Sequence, residues 1–189
     1  MNSYTDIVEQ KVQEKLREYQ TNPAKFYLDI FPNCTEQQTQ FLNQFLNNQI
    51  NKFEVKPNDP YTYDTFAKLA FYSFLINPKK ITLVLIPAHQ IGLAKLIRKS
   101  LSNIIDSFKE VPYLADWIIP HLKLGELSIG RLGRFNSGIM IKSIDSPSVI
   151  GYPPETNILI FDDSRLTRSA WNTLVSLSHD NKIALFREV

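Results

Sequence analysis

Apolar and polar positions alternate with two different periods along the chain, and these periods predict its helices and strands. In most of the N-terminal third, apolar residues recur every three or four positions, which is the pattern of amphipathic helices. This spacing, bounded by Pro and Asn residues, predicts helices at 4–19, 23–31, 36–49, 64–76, 88–108 and 166–177. Short apolar runs predict strands at 81–87, 157–161 and 182–186, and a short alternation of polar and apolar residues predicts one at 51–56.

The order of these elements indicates the fold class. After residue 50, strands alternate with helices, and this order is typical of a parallel sheet with right-handed crossovers. Residues 127–144 alternate around Asn136-Ser137-Gly138, which predicts an inserted antiparallel β-hairpin. We therefore expect an α/β fold with a mostly parallel sheet and helices on both faces. Residues 1–50 should form a helical segment packed on a core of 51–189, in a single domain overall.

Net charge, cysteine content and the length of apolar stretches indicate the cellular compartment of the protein but not its function. The 189 residues carry a formal charge of +2, which is too balanced to indicate a nucleic-acid or membrane surface by net charge alone. Cys34 is the single cysteine and cannot form an intrachain disulfide, which favours a reducing compartment. No stretch approaches about 18 consecutive apolar residues. We expect a cytoplasmic protein, in a bacterial cell or a phage-infected host, with no membrane partner.

The segment NILIFDDS, residues 157–164, holds the clearest candidate for chemistry. Its apolar strand residues lead to Asp162 and Asp163, at the carboxyl edge of a parallel sheet, where open α/β folds bind ligands. Two adjacent carboxylates there can hold Mg²⁺ directly or through water. The pattern resembles a Walker B motif. An acidic turn that caps the following helix is the alternative that the residues leave open.

Basic residues form two further candidate sites. Lys95, Arg98 and Lys99 lie on the polar side of the helix predicted at 88–108, and Arg131 and Arg134 lie in the predicted hairpin. Both groups could contact the phosphate backbone of a nucleic acid. An ordinary solvated surface is the alternative that the residues leave open.

The chain as a whole resembles the N-terminal ATPase domain of the phage terminase large subunit, a P-loop NTPase that packages DNA. NPAKFYLDIFPNCTEQQTQFL is similar to the entry segment of that family, FEVKP takes the place of its first strand, and ILIFDDS that of Walker B. The resemblance implies that Asp162 supports the metal, that Asp163 positions the attacking water, and that Gln37 or Gln38 approaches adenine. It covers roughly residues 22–186.

The chain departs from that family at the phosphate loop. Walker A requires GxxxxGK[ST], whose glycines let backbone N–H groups wrap the phosphates. At that place the chain has KPNDPYTYDT, residues 56–65, and its first glycine is Gly92. Only Thr65 could supply the metal-binding hydroxyl, while Asp59 and Asp64 would repel a triphosphate. Asp163 also stands where the family has a glutamate, and the sequence ends at FREV, before the family's coupling segment and nuclease domain.

These features predict a degenerate terminase-ATPase-like domain that does not hydrolyse ATP. It would serve as a binding or assembly component in phage DNA packaging or a related nucleic-acid process, with packaging proteins or DNA as partners and an oligomer as one form. Mg²⁺ and a nucleotide are the candidate cofactors, and the altered phosphate loop leaves both unassigned. Two alternatives stay open: one half of a split ATPase completed by another chain, and a DNA-binding accessory protein.

Overall fold

The computed structural model describes most helices and strands of the chain and part of their connections. The described residues are 4–31, 33–47, 50–55, 60–76, 81–87, 91–108, 111, 114–118, 122–124, 128–131, 138–143, 156–161, 168–169, 171–172 and 183–188. The helices are α1 (Tyr4–Thr21), α2 (Pro23–Ile30), α3 (Glu36–Asn47), α4 (Pro60–Ile76), α5 (Ile91–Phe108) and α6 (Leu114–Ile118). The strands are β1 (Ile50–Val55), β2 (Ile81–Ile86), β3 (Leu122–Leu124), β4 (Ser128–Arg131), β5 (Gly138–Ser143), β6 (Thr156–Phe161) and β7 (Ile183–Glu188).

These strands form one sheet in the order β1-β7-β6-β2-β5-β4-β3. The first five run parallel to one another, whereas β4 pairs antiparallel with β5 and β3 pairs antiparallel with β4. The prediction of an α/β fold with a mostly parallel sheet and an antiparallel hairpin is thereby confirmed.

The central strands are covered on both faces. Leu83, Val84 and Leu85 of β2 are fully buried, as are Ile158 and Leu159 of β6. Successive residues of a strand point to opposite faces of the sheet, so burial of consecutive residues requires a layer on each side. The uninterrupted apolar runs in the sequence have this cause.

Helix α4 is the most deeply buried helix among the described residues. Every side chain from Thr65 to Ile76 is buried, and the helix contacts α1 and α5 as well as β2, β5 and β6. A helical segment that is buried on all sides must be enclosed by other elements. Its residues Phe71 and Phe74 contribute to an aromatic core that continues to Phe108 of α5.

Hydrogen bonds fasten the end of α1 to α4. The Tyr72 hydroxyl donates to the backbone oxygen of Tyr19 at 3.0 Å, and the Gln20 amide donates to the backbone oxygen of Ile76 at 2.8 Å. The Gln20 bond satisfies a carbonyl at the end of α4 that has no partner within the helix. Phe26 of α2 packs edge-on against both Tyr19 and Tyr72. Two of the N-terminal helices are therefore tied to the core by specific contacts as well as by apolar burial.

The structure differs from the sequence-based expectation at three places. Helix α4 begins at Pro60 rather than at Asp64. Proline is favoured in the first turn of a helix, and aspartate, which is residue 59 of the sequence, is favoured at the position just before a helix. Residues 114–118, for which the sequence pattern predicted neither a helix nor a strand, form α6. Strand β3 was not expected, since three residues give no readable period. Of the helix predicted at 166–177, residues 168–169 and 171–172 are helical and the others lie outside the described residues.

Candidate polar site beside the first strand

Thr35 and Gln38 form a TxxQ stretch at the start of helix α3, in the segment whose glutamine the resemblance associates with adenine. The backbone N–H of Gln38 donates to the Thr35 hydroxyl at 3.2 Å, and the backbone N–H of Thr35 donates to the Gln38 side-chain oxygen at 3.2 Å. This reciprocal pair is a capping box, which satisfies two N–H groups that a helix start otherwise leaves without partners. The spacing of Thr35 and Gln38 therefore has a local structural function.

The Gln38 side chain also belongs to a polar cluster between α3 and α4, which we call the Lys68 cluster (Cys34, Gln38, Asp64 and Lys68). The Lys68 ammonium lies 2.7 Å from an Asp64 carboxylate oxygen and donates to the Gln38 oxygen at 3.1 Å. The Gln38 amide nitrogen donates to the same Asp64 oxygen at 3.0 Å. The cluster thus joins the start of α3 to the first turns of α4.

Burial makes the contacts of Lys68 energetically important. The residue is 8% exposed, and a charge in such a place requires a counter-charge and hydrogen bonds to offset its lost hydration. Asp64 supplies the charge, and Gln38 supplies the neutral acceptor. The ring of Phe31 adds a cation–π contact, with the Lys68 ammonium 5.1 Å from its centroid.

The thiol of Cys34 completes the cluster as a neutral group. It donates to the Gln38 oxygen at 3.3 Å, and the Lys68 ammonium lies 3.6 Å from its sulfur. Burial raises the pKa of the Cys34 thiol to about 11, although the neighbouring Lys68 ammonium opposes this shift. The thiol is therefore protonated at neutral pH and lacks the thiolate that a reactive cysteine needs.

Tyr27 lies near the cluster on α2. Burial raises the pKa of its hydroxyl well above the ordinary value, with further contributions from Cys34 and Asp64. The hydroxyl has no hydrogen-bond partner among the described residues. It stays protonated at any physiological pH, so this side of the cluster keeps a neutral donor.

The other residues assigned to a nucleotide occupy different environments. Thr65 lies in the second turn of α4, where its buried hydroxyl donates to the backbone oxygen of Tyr61 at 2.7 Å. Gln37 is exposed on α3. The structure thus brings Gln38 close to the start of α4, whereas Gln37 on the same helix is in solvent.

The candidate Walker A and Walker B positions follow strands that end at one edge of the sheet. Phe186 of β7 pairs with both Phe53 of β1 and Phe161 of β6, so these strands are level with one another. One strand separates β1 from β6, which places them about 10 Å apart. Asp162 and Asp163 directly follow Phe161 in the sequence but lie, like residues 56–59, outside the described residues.

Helix α5 presents the basic residues to solvent. Lys95, Arg98 and Lys99 are all exposed, at a spacing that places them on one side of the helix. None of them forms an ion pair with the described part of the chain. Arg131 is the last residue of β4, with no description of its side chain, and Arg134 lies outside the described residues.

The described residues contain no group of three or more His, Cys, Asp or Glu side chains that could hold a metal ion. They also contain no helix long and apolar enough to cross a membrane.

Sequence reasoning did not identify Lys68 as a site residue. One signal was available: a lysine inside the apolar run of α4, with Asp64 four residues earlier on the same side of the helix. The partners Cys34 and Gln38, about thirty positions away in the chain, could not be read from local pattern.

Comparison with known proteins identifies the fold. No family model matches the chain, and no curated protein matches it significantly. Among solved structures, it is similar to the ATPase domain of the large terminase of Thermus phage P74-26, with a TM-score of 0.62 and 11% identity over 86% of this chain and 68% of that one. A single-residue mutant of the same domain gives a TM-score of 0.64 and 13% identity over the same shares. At such low identity the likeness shows the fold alone: this chain has an α/β fold like that of a phage large-terminase ATPase domain.

Proposed function

We propose that this chain is a non-hydrolytic relative of the terminase ATPase domain that acts as a binding or assembly component in phage DNA packaging. The fold supports a packaging-related role. The observation that carries the non-hydrolytic part is the connection between β1 and α4.

That connection is too short and of the wrong composition for a phosphate loop. Strand β1 ends at Val55 and α4 begins at Pro60, so residues 56–59, KPND, are all that joins them. The glycine-to-glycine part of Walker A alone is longer, and its glycines allow the backbone N–H groups to surround phosphate. Pro57 and Pro60 each lack an N–H donor. Residues 56–59 and Pro60 therefore offer fewer backbone N–H donors to a phosphate than a Walker A loop does.

The Lys68 cluster supports the same proposal. Lys68 is the only cationic residue of α4, and its ammonium is occupied by Asp64 and Gln38. An ammonium held this way inside the protein cannot reach the phosphates of a nucleotide without losing both partners. Asp64 and Lys68 of α4 thus form contacts that stabilise the fold, and these contacts compete with any contact to a nucleotide.

Nucleotide titration tests the proposal directly. The chain is titrated with a fluorescent ATP analogue and, by calorimetry, with ATP, each with and without Mg²⁺, and phosphate release is followed in parallel. We expect no saturable binding below millimolar ATP and no hydrolysis. The matched variants Asp162→Ala and Thr65→Ala should behave as the parent chain does.

Micromolar ATP binding, or Mg²⁺-dependent hydrolysis that Asp162→Ala abolishes, would refute the proposal. Hydrolysis that appears only after mixing with the products of neighbouring genes would instead support one half of a split ATPase, with Asp162 and Asp163 as its retained acids. An assembly role predicts a defined complex with a packaging protein of the same genome, measured by light scattering on the purified pair.

The exposed basic side of α5 favours a second candidate function, binding of DNA through its phosphates. If Lys95, Arg98 and Lys99 each neutralise one phosphate, raising the salt from 50 to 200 mM should weaken DNA binding about 40-fold. Each neutralised phosphate contributes about −0.9 to the slope of the logarithm of the binding constant against the logarithm of the salt concentration. Fluorescence anisotropy with a labelled duplex measures this slope. Arg98→Glu should reduce affinity, whereas Arg17→Glu on α1 serves as a charge-matched control. Salt-independent binding, or equal loss in both variants, would contradict this function.

A further inference from the structure

We propose that the outer edge of β1 pairs antiparallel with β1 of a second copy of this chain, forming a two-fold dimer with a continuous sheet. The inference concerns the surface of the fold and does not depend on whether the chain binds nucleotide or DNA.

Strand β1 is the long edge of the described sheet. It stands at one end of the strand order, and all six of its residues pair with β7 on the other side. The opposite end is β3, with three residues, which is a length typical of edges that proteins protect by keeping them short. A six-residue edge strand offers a row of backbone donors and acceptors to another strand.

The charges on β1 are self-complementary in one particular register. Lys52 and Glu54 are exposed on one face of the strand, and the buried Phe53 lies between them on the other face. In an antiparallel pair centred on Phe53, Lys52 of each copy lies opposite Glu54 of the other. Charges on an edge strand usually discourage pairing, but opposite charges placed across from each other stabilise it.

Lys52 and Glu54 form no ion pair with a side chain that the structure describes. Glu54 is in register with Arg187 of β7, whose side chain lies outside the description. Two complementary cross-strand pairs would therefore form on dimerisation without breaking an existing described one.

Helix α3 lies beside β1 and is suited to the same two-fold contact. It packs on the strand through Phe41, whose ring centroid is 4.7 Å from that of Phe53. A two-fold axis perpendicular to the sheet keeps the two copies of α3 on the same face, near the axis. Their described exposed residues carry a single charge per copy and are otherwise amides: Glu36, Gln37, Gln40, Asn43, Gln44 and Asn47. Like-charge repulsion between the two helices is accordingly small.

Charge reversal across β1 tests both the dimer and its register. Light scattering coupled to size exclusion, from 1 to 200 μM in reducing buffer that prevents Cys34 crosslinks, measures the dissociation constant of the dimer. We expect a dimer in the parent chain and a dissociation constant raised about tenfold or more in Lys52→Glu and in Glu54→Lys, because each variant places like charges opposite each other twice. The double reversal Lys52→Glu/Glu54→Lys should restore dimerisation.

Mixing the two single variants gives the sharpest result. Each alone is self-repelling, but a mixed pair places the two acidic side chains of the Lys52→Glu copy opposite the two basic side chains of the Glu54→Lys copy, so heterodimers should form. Lys99→Glu on α5 and Glu9→Lys on α1 are controls that should dimerise as the parent chain does. A parent chain that is monomeric up to 200 μM, dimers insensitive to reversal, or single variants that fail to associate on mixing would each overturn the proposal.

Discussion

Replacing Asp64 by alanine should reveal the energetic cost of burying Lys68. Among the described residues, the Lys68 ammonium has three polar neighbours: the Asp64 carboxylate at 2.7 Å, the Gln38 oxygen at 3.1 Å and the Cys34 sulfur at 3.6 Å. Asp64→Ala removes the charged member of these three neighbours. The Lys68 side chain, which is 10% exposed, is then left with neutral partners only. Removing one member of a buried ion pair costs about 3–5 kcal/mol.

The expected cost is smaller here because the pair is not equally buried. The Asp64 side chain is 36% exposed, so water can enter the space that the carboxylate leaves and hydrate part of Lys68. We therefore expect Asp64→Ala to lower the free energy of unfolding by about 2 kcal/mol, which corresponds to a fall in Tm of about 4–8 °C for a chain of this size. Lys68→Met should cost only about 0–1 kcal/mol, since methionine keeps the contact with Phe31 and removes the charge that needed a partner.

Urea unfolding followed by far-UV circular dichroism measures both values, and the double variant gives the decisive comparison. Asp64→Ala/Lys68→Met should be more stable than Asp64→Ala alone, because the second substitution removes the uncompensated ammonium. Asp64→Asn is the matched control that keeps the shape and a hydrogen-bond acceptor while removing the charge. If the double variant is less stable than Asp64→Ala, the reasoning is wrong and Lys68 stabilises the fold by means other than this pair.

Two further predictions concern titrating groups. Because burial raises the pKa of the Cys34 thiol from the ordinary value of 9.0 to about 11, its thiolate fraction at pH 8 should be about 100-fold below that of the urea-unfolded chain. A disulfide reagent that labels both forms at the same rate would contradict this. Burial alone would raise the pKa of Asp29, but hydrogen bonds from Lys15 at 2.6 Å and from Tyr19 at 3.1 Å lower it below the ordinary 3.8. Asp29 therefore stabilises the fold above that value and loses its contribution as the pH falls through its lower folded pKa, so Asp29→Asn should show a shallower fall in Tm between pH 5 and pH 3, measured by differential scanning fluorimetry.

The main elements of the fold could be predicted because the spacing of apolar residues along a helix or strand reflects which of its sides is buried. The apolar run at 81–87 predicted a strand covered on both faces, and β2 is buried at successive residues. The three- and four-residue spacing at 36–49 predicted α3, whose Leu42 and Phe45 enter the core. In both cases a single local pattern recorded which side of the element meets the rest of the molecule.

Other features depend on contacts that no local window contains. The early start of α4 at Pro60 is a matter of turn chemistry, and β3 exists because β4 supplies its hydrogen bonds. The Lys68 cluster joins residues about thirty positions apart, so the sequence suggested at most the pairing of Lys68 with Asp64. The assignments of Asp162 and Asp163 stay predictions, since these residues lie outside the described part of the chain.

The energetics of Gln38 bear on what its motif can mean in this chain. To contact an adenine, the Gln38 amide would have to leave Asp64 and Lys68, both charged partners, as well as the Thr35 N–H that it caps. Hydrogen bonds to charged groups contribute about 1.5–3 kcal/mol each, whereas a neutral amide–base bond returns about 0.5–1.5 kcal/mol. A contact between Gln38 and a nucleotide would thus make nucleotide binding less favourable. Gln37, which is exposed on the same helix, is the glutamine that could contact a ligand without disturbing the fold. The same TxxQ letters are therefore compatible with a nucleotide contact and with a purely structural cap, and the charged neighbours of Gln38 favour the cap.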